Sequence, residues 1–232
     1  MSEAFYRREG ERIVPTGLGA SFWDAGKQGG APVCGVVAQL LDGIPAPAAM
    51  LPARLTIDLY GAVPMAPMTV RTRLLREGKR IQIAELELDT GGRTWARATM
   101  LRVRTEGAED RIEPLTHPLP AEMQGERKVV GEAIRVAGSA EEPGPGAVWM
   151  RVIRPMIAGE PMNALACLAA AADWGTTVSP PARLAEWTYA NLDVSLHLAR
   201  MPRGELTTRM GDAQGMFGTA HQTVFLNRKQ AD

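Results

Sequence analysis

Residues 160–175, EPMNALACLAAAADWG, limit the fold more than any other stretch of the chain. Pro161 suits a first helical position, where its missing N–H is no loss, and the Ala- and Leu-rich run that follows has high helix propensity. A helix so small-sided and so apolar on nearly every face is expected to be buried all round, and a sheet wrapped about it is the simplest way to do that. The run ends at Gly175, and Asp173 is its one charged residue. An acid at the C-terminal end of a buried helix meets the negative end of the macrodipole and apolar walls together, so it needs a partner or a purpose.

The 232 residues carry 26 Lys and Arg against 26 Asp and Glu, which leaves no basic footprint for a nucleic acid partner. No apolar run is long enough to span a bilayer, so no membrane partner is expected. The first residues, MSEAFYRREGER, are charged and lack the apolar core of an export signal, which predicts a cytoplasmic location. Cys34 and Cys167 lie in apolar helical contexts and are expected to be buried free thiols rather than a disulfide or metal pair.

The order of elements is informative. Residues 5–16 flank Gly10 as a small hairpin, 21–30 are rich in turns, and 32–42 place Val33, Val36, Val37, Leu40 and Leu41 at helical spacing. Strands are predicted over 53–60, 68–76, 80–88 and 94–104, with turns at Glu77-Gly78-Lys79 and Thr90-Gly91-Gly92. Residues 106–130 are polar, contain three prolines and show no period, as a linker would. The order then repeats: strands over 131–137 and 148–153, a helix over 161–174, and strands over 188–198, 205–210 and 217–226. The chain therefore divides into an N-terminal unit (1–105), a linker (106–130) and a C-terminal unit (131–232) of α+β class, each an antiparallel sheet around one central helix. The second unit is one strand short after its helix.

Several local patterns resemble the double-hotdog acyl-CoA thioesterases, the superfamily that includes bacterial acyl-CoA thioesterase II. They are Trp23-Asp24, Gln28-Gly29-Gly30, Arg54, the run LLREGKRIQIAELEL over 74–88, Arg97-Ala98, Val148-Trp149-Met150-Arg151, Ala171-Ala172-Asp173, Asn191-Leu192-Asp193, Leu196-His197-Leu198, Arg200, Gly218 and Gln222. The resemblance implies a tandem hotdog fold, an acyl-CoA substrate, hydrolysis by an activated water, no cofactor and no metal. In the thioesterase II pattern an Asp late in the second helix, a Thr on the next strand and a Gln on the last strand hold that water. The corresponding positions here are Asp173, Asn191 and Gln222, so Asn replaces Thr, and Gln28 stands where a His often precedes the double glycine.

Each assignment has a plain structural alternative. Asp173 could be an exposed acid where a helix frays, Gln222 a solvent-facing strand residue, and Asn191 a turn residue at a strand start. Oxyanion donors are expected from the free N–H groups of a helix start, either Gly29, Gly30 and Ala31 or residues 160–162, and each could instead be a tight turn. In the strand 188–198, Leu192, Val194, Leu196 and Leu198 are predicted to face inward, with Asp193, Ser195 and His197 outward. His221 and Gln222 must face opposite ways, and the polar outer face suggests a homodimer of double-hotdog units. The competing function is an acyl-CoA or acyl-chain binding hotdog protein of little catalytic power. A hotdog hydratase is disfavoured because no His accompanies Asp24 near the first helix.

Overall fold

The computed structural model describes residues 4–105, 133–139, 141–150, 152–202, 206–207, 210–212, 215–216 and 218–229. The predicted linker, His117, Gly131 and Arg151 lie outside these. In the first half, Gly10 with its positive φ of 59° turns β1 (Tyr6–Glu9) back into β2 (Arg12–Pro15). Helix α1 (Gly30–Asp42) follows, then β3 (Met50–Leu59) and the meander β4 (Met68–Glu77), β5 (Ile81–Thr90) and β6 (Arg93–Arg104), with β3 returning to pair beside β6 rather than β4. Helix α1 starts two residues before the predicted 32–42, which puts Pro32 in its first turn, where a missing N–H leaves nothing unpaired.

In the second half β7 (Ala133–Ala137) and β8 (Ala147–Met150) precede α2 (Ala164–Asp173). Pro161 is not its first residue. Asn163 caps the helix instead, its Oδ1 accepting the Ala166 N–H at 2.8 Å, and a capping Asn outweighs a Pro two positions earlier. Nor does the helical path end at Gly175, because a single further turn, α3 (Gly175–Val178), follows Trp174. Strands β9 (Trp187–Leu198), β10 (Leu206–Thr207), β11 (Gly211–Asp212), β12 (Gly215–Met216) and β13 (Gly218–Arg228) complete the described chain.

The two halves share a sheet. Strands pair in the order β1-β2-β4-β5-β6-β3-β9-β13, and the join is the antiparallel β3–β9 pair, from Arg54 opposite His197 to Asp58 opposite Asp193. The remaining second-half strands form a separate five-stranded sheet in the order β12-β11-β10-β8-β7. Alternation on β5 and β6 sends Ala84, Leu86, Leu88, Ala96, Ala98 and Met100 inward, where they bury the apolar face of α1. The C-terminal end of α1 is tied to this sheet by Arg102, itself buried, which donates to the Asp42 and Ile44 carbonyls and to Gln82 Oε1. A cation there also suits the negative end of the helix dipole.

Helices α1 and α2 pack against each other in opposite directions. Gly30 at the start of α1 meets Asp173 at the end of α2, and Asn163 at the start of α2 donates to the Gln39 carbonyl near the end of α1. Between these ends the contact is close: a Cβ on Gly35 would lie 2.6 Å from both Met156 Sδ and Cε and 3.3 Å from Ala170 Cβ. Cys34 is fully buried and Cys167 partly so, both as free thiols, in line with the sequence. Gly35→Ala is expected to lower stability by about 1–3 kcal/mol through overpacking, read as a shift in the urea unfolding midpoint.

Candidate active site

The antiparallel helix pair sets the C-terminal acid of α2 over the N-terminus of α1. A Cβ on Gly30 would stand 2.5 and 2.6 Å from the two Asp173 carboxylate oxygens, so only glycine admits the acid at this distance. The N-terminal dipole of α1 thus offsets the unfavourable C-terminal dipole of α2. The first turn of α1 presents few donors. Gly29 N–H is already given to the Gly19 carbonyl (2.9 Å), Pro32 has none, and Val33 N–H closes the first helical bond to Gly29 O (3.3 Å). The N–H groups of Gly30 and Ala31 have no partner among the described residues. These two are therefore the groups free to bind an anion or oxyanion.

Asn191 completes the acid's surroundings. Its Nδ2 donates to Asp173 Oδ1 at 2.8 Å and to the Asp173 carbonyl at 2.9 Å. Both partners are acceptors, which fixes the amide orientation and leaves Oδ1 buried with no protein partner. Asn191 faces inward because of a β-bulge. In the β9–β13 pair the register shifts so that Asp193 opposes Thr223 and Asn191 opposes Val224, which leaves Leu192 as the extra residue. Beyond the bulge Val194, Leu196 and Leu198 face the core as predicted. Before it the phase is reversed: Tyr189 and Asn191 turn inward, and Leu192, predicted to face inward, is 46% exposed.

Gln222 lies on the inward face of β13 and His221 on the outward face, as their alternation requires. The Gln222 amide does not bond the carboxylate. Its Nε2 donates to the Ala172 carbonyl at 2.7 Å and its Oε1 rests against Gly175, so it grips the helix end that carries Asp173. His197 is exposed and stacks edge-on with His221 on the outer face, 6.2 Å between rings. Gln28 is wholly engaged in structure: it accepts from Tyr6 Oη (2.9 Å) and donates to the Pro64 carbonyl (2.7 Å), which holds the residue before Gly29 in place.

A cavity of about 700 Å³ opens at this point and is lined by Asp173, Asn191, Gly29, Gly30 and Ala31. Its rim is aromatic: Trp23 packs on Phe22 with ring centres 4.5 Å apart and meets Tyr189 edge-on at 5.9 Å. Tyr189 and Trp174 were not legible as site residues, since the bulge hides the one and the turn after α2 hides the other. Asp173 is half-buried and lines this cavity. Burial pushes its carboxyl up to about 6, and the Asn191 hydrogen bond pulls in the opposite direction. The buried Cys34 thiol, one turn into α1, is pushed up by desolvation and then by the Asp173 charge.

The other crossing of the helix pair is different. Gln39 stands as far beyond its helix cap Gly29 as Asp173 does beyond Asn163. Its amide reaches Glu160 Oε2 (3.4 Å), whose other oxygen accepts from Arg8 Nε at 2.8 Å. This end is closed by an ion pair and an amide. The carboxylate at this end, Glu160, is thus paired with a cation, whereas the only side-chain donor to Asp173 among the described residues is Asn191.

Two helices wrapped by a shared antiparallel sheet give the chain a double-hotdog fold. Residues 20–103 match the model of the acyl-CoA thioesterase N-terminal domain. Three solved structures share the fold over nearly the whole chain. A putative thioesterase II from Thermobifida fusca is 15% identical, with 97% of this chain and 94% of that one covered and a TM-score of 0.62. A hot dog fold protein from Alicyclobacillus acidocaldarius is 15% identical, covering 98% and 96% at a TM-score of 0.65. Acyl-CoA thioesterase II TesB2 from Mycobacterium marinum is 14% identical, covering 97% and 95% at 0.64. No curated protein matches the chain. Among the described residues no helix is long and apolar enough to cross a membrane.

The raised Asp173 carboxyl has a consequence for stability. Its native form binds a proton more tightly than the unfolded chain does, so between the usual carboxylate value and about 6 stability drains away as pH rises. Asp173→Asn cannot titrate. The stability of the variant relative to the natural protein is expected to grow as pH rises from about 4 to 6.5 and to level off above that, measured by urea unfolding at stepped pH.

Proposed function

We propose that the protein hydrolyses an acyl-CoA thioester to free acid and CoA with a water activated by Asp173. The observation that carries this reading is the Asp173 carboxylate held against the unpaired donors at the start of α1. The water donates one hydrogen bond to the carboxylate and the other to Asn191 Oδ1, which is buried and has no other partner. Asp173 takes a proton as the water oxygen attacks the thioester carbonyl carbon. The carbonyl oxygen, now negative, accepts from Gly30 and Ala31 N–H at the positive end of α1. The intermediate collapses, the carbon–sulfur bond breaks, and the proton on Asp173 passes to the departing thiolate.

Asn thus does the orienting work of a Thr hydroxyl, with a carbonyl acceptor aimed at the water and a donor that keeps the acid turned toward it. Gln222 acts at one remove as a positioning residue, fixing the Ala172 carbonyl and with it the last turn of α2.

The test is release of free CoA from acyl-CoA substrates, followed with a thiol reagent. Asp173→Asn is expected to lower kcat by about two to four orders of magnitude with KM little changed, whereas Asn191→Ala and Gln222→Ala lose less. On the acid side kcat/KM should fall about tenfold per pH unit below an apparent pKa near 6, the form expected when the base must be unprotonated. A folded Asp173→Asn protein that keeps most of its activity overturns the assignment. CoA esters that raise Tm without turnover would identify a binding protein instead.

A further inference from the structure

The cavity is chemically graded from one end to the other. At one end Lys27 lines it together with Trp23 and Asp24, and Lys229 Nζ, outside the lining, lies 6.0 Å from the Trp23 ring while donating to the Leu184 carbonyl. That end suits the phosphates of CoA. Past Asp173 the wall toward the helix contact consists of Val33, Met150, Val152, Met156 and Ala170, with no polar side chain among them. That end suits an acyl group.

Met156 blocks the deepest part of this apolar end. Its side chain is fully buried and lies across Gly35, with Ala170 of α2 beside it. The residue is not free to swing away with its loop. Tyr6 N–H donates to the Met156 carbonyl at 2.8 Å, Ala158 N–H donates to the Tyr6 carbonyl at 2.9 Å, and Tyr6 is itself pinned by Gln28. The available depth follows from the helix. From Gly30, where the thioester oxygen would sit, to Gly35, where Met156 lies, α1 advances by about 7.5 Å. With carbon–carbon bonds of about 1.5 Å set zigzag, that depth has an upper bound of roughly six carbons, because the last carbon must also stand off from Met156.

We infer that Met156 is the floor of the acyl pocket and restricts the substrate to short acyl groups of up to about six carbons or a single ring. The inference rests on the thioesterase reading for the direction of the bound ester, and adds to it the substrate class and the residue that sets it. A longer chain would have to displace a fully buried side chain whose backbone is tied to Tyr6, and overpacking of that kind is unfavourable.

The deciding experiment uses the full chain with straight-chain acyl-CoAs from four to sixteen carbons and with benzoyl-CoA. The expected kcat/KM is highest at six carbons or fewer, or with the single ring, and at least about tenfold lower at ten. Met156→Ala should raise the ratio of the ten-carbon to the four-carbon kcat/KM by about tenfold or more. The same series is run as S-alkyl-CoA thioethers, which have no carbonyl to attack, with Tm as the readout. A thioether series that stabilises the natural protein only up to about six carbons upholds the floor even if no ester turns over, in which case the hydrolase reading fails alone. A natural protein that prefers ten or more carbons in hydrolysis or binding overturns the inference, and needs no variant to do so. So does a folded Met156→Ala protein with an unchanged chain-length profile.

Discussion

The molecule depends on the close approach of two antiparallel helices, and that approach depends on small residues. Gly30 and Gly35 on α1 face Asp173, Ala170 and Met156, and added carbon at either glycine would collide with what is opposite. Helices built from larger residues would stand farther apart and leave the acid at a distance from the α1 donors. The Ala-rich composition of α2, which first shows as high helix propensity, has this as its tertiary meaning. The surrounding sheet completes the arrangement by burying the outward faces of both helices, and the β3–β9 pair makes the two halves move as one.

The electrostatics at the contact are a balance of three influences. Desolvation opposes the charged form of Asp173, the Asn191 amide favours it, and the aligned N–H groups of α1 favour it as well. The balance leaves a carboxyl close to neutrality in strength, which is where a base is effective near neutral pH. An acid fully at ease there, with several donors, would be too weak a base to draw a proton from water. The Asn191 amide is held twice by one residue, at the carboxylate and at the backbone, which leaves its oxygen buried without a protein partner.

Much of the architecture could be read from residue order, because hairpin, helix and meander each carry a local signal: Gly10 for the first turn, the 3.6-residue period of α1, the alternation of β5 and β6. The acid too could be read, as the one charge in an apolar helix. What could not be read depends on pairings between distant segments. The bulge at Leu192 inverts the face of Tyr189 and Asn191, and nothing in the local alternation marks it, because the shift is a property of β9 and β13 together. The bond from Gln222 to Ala172 and the seat of Met156 over Gly35 likewise join residues far apart in sequence. The start of α2 was misplaced for a more ordinary reason, since Pro161 and Asn163 both signal a beginning and the side-chain cap prevailed.

The Arg8–Glu160–Gln39 closure bears on how such a duplicated protein can change. In a symmetric pair of units every alteration at one crossing is repeated at the other, so a substitution that loosens the fold is felt twice. Here the two ends are encoded separately and differ: one holds Asp173 with the Asn191 amide, and the other pairs Glu160 with Arg8 and Gln39. A substitution beside Asp173 therefore leaves the Arg8–Glu160–Gln39 contact unaltered, a separation that a dimer of identical chains does not have.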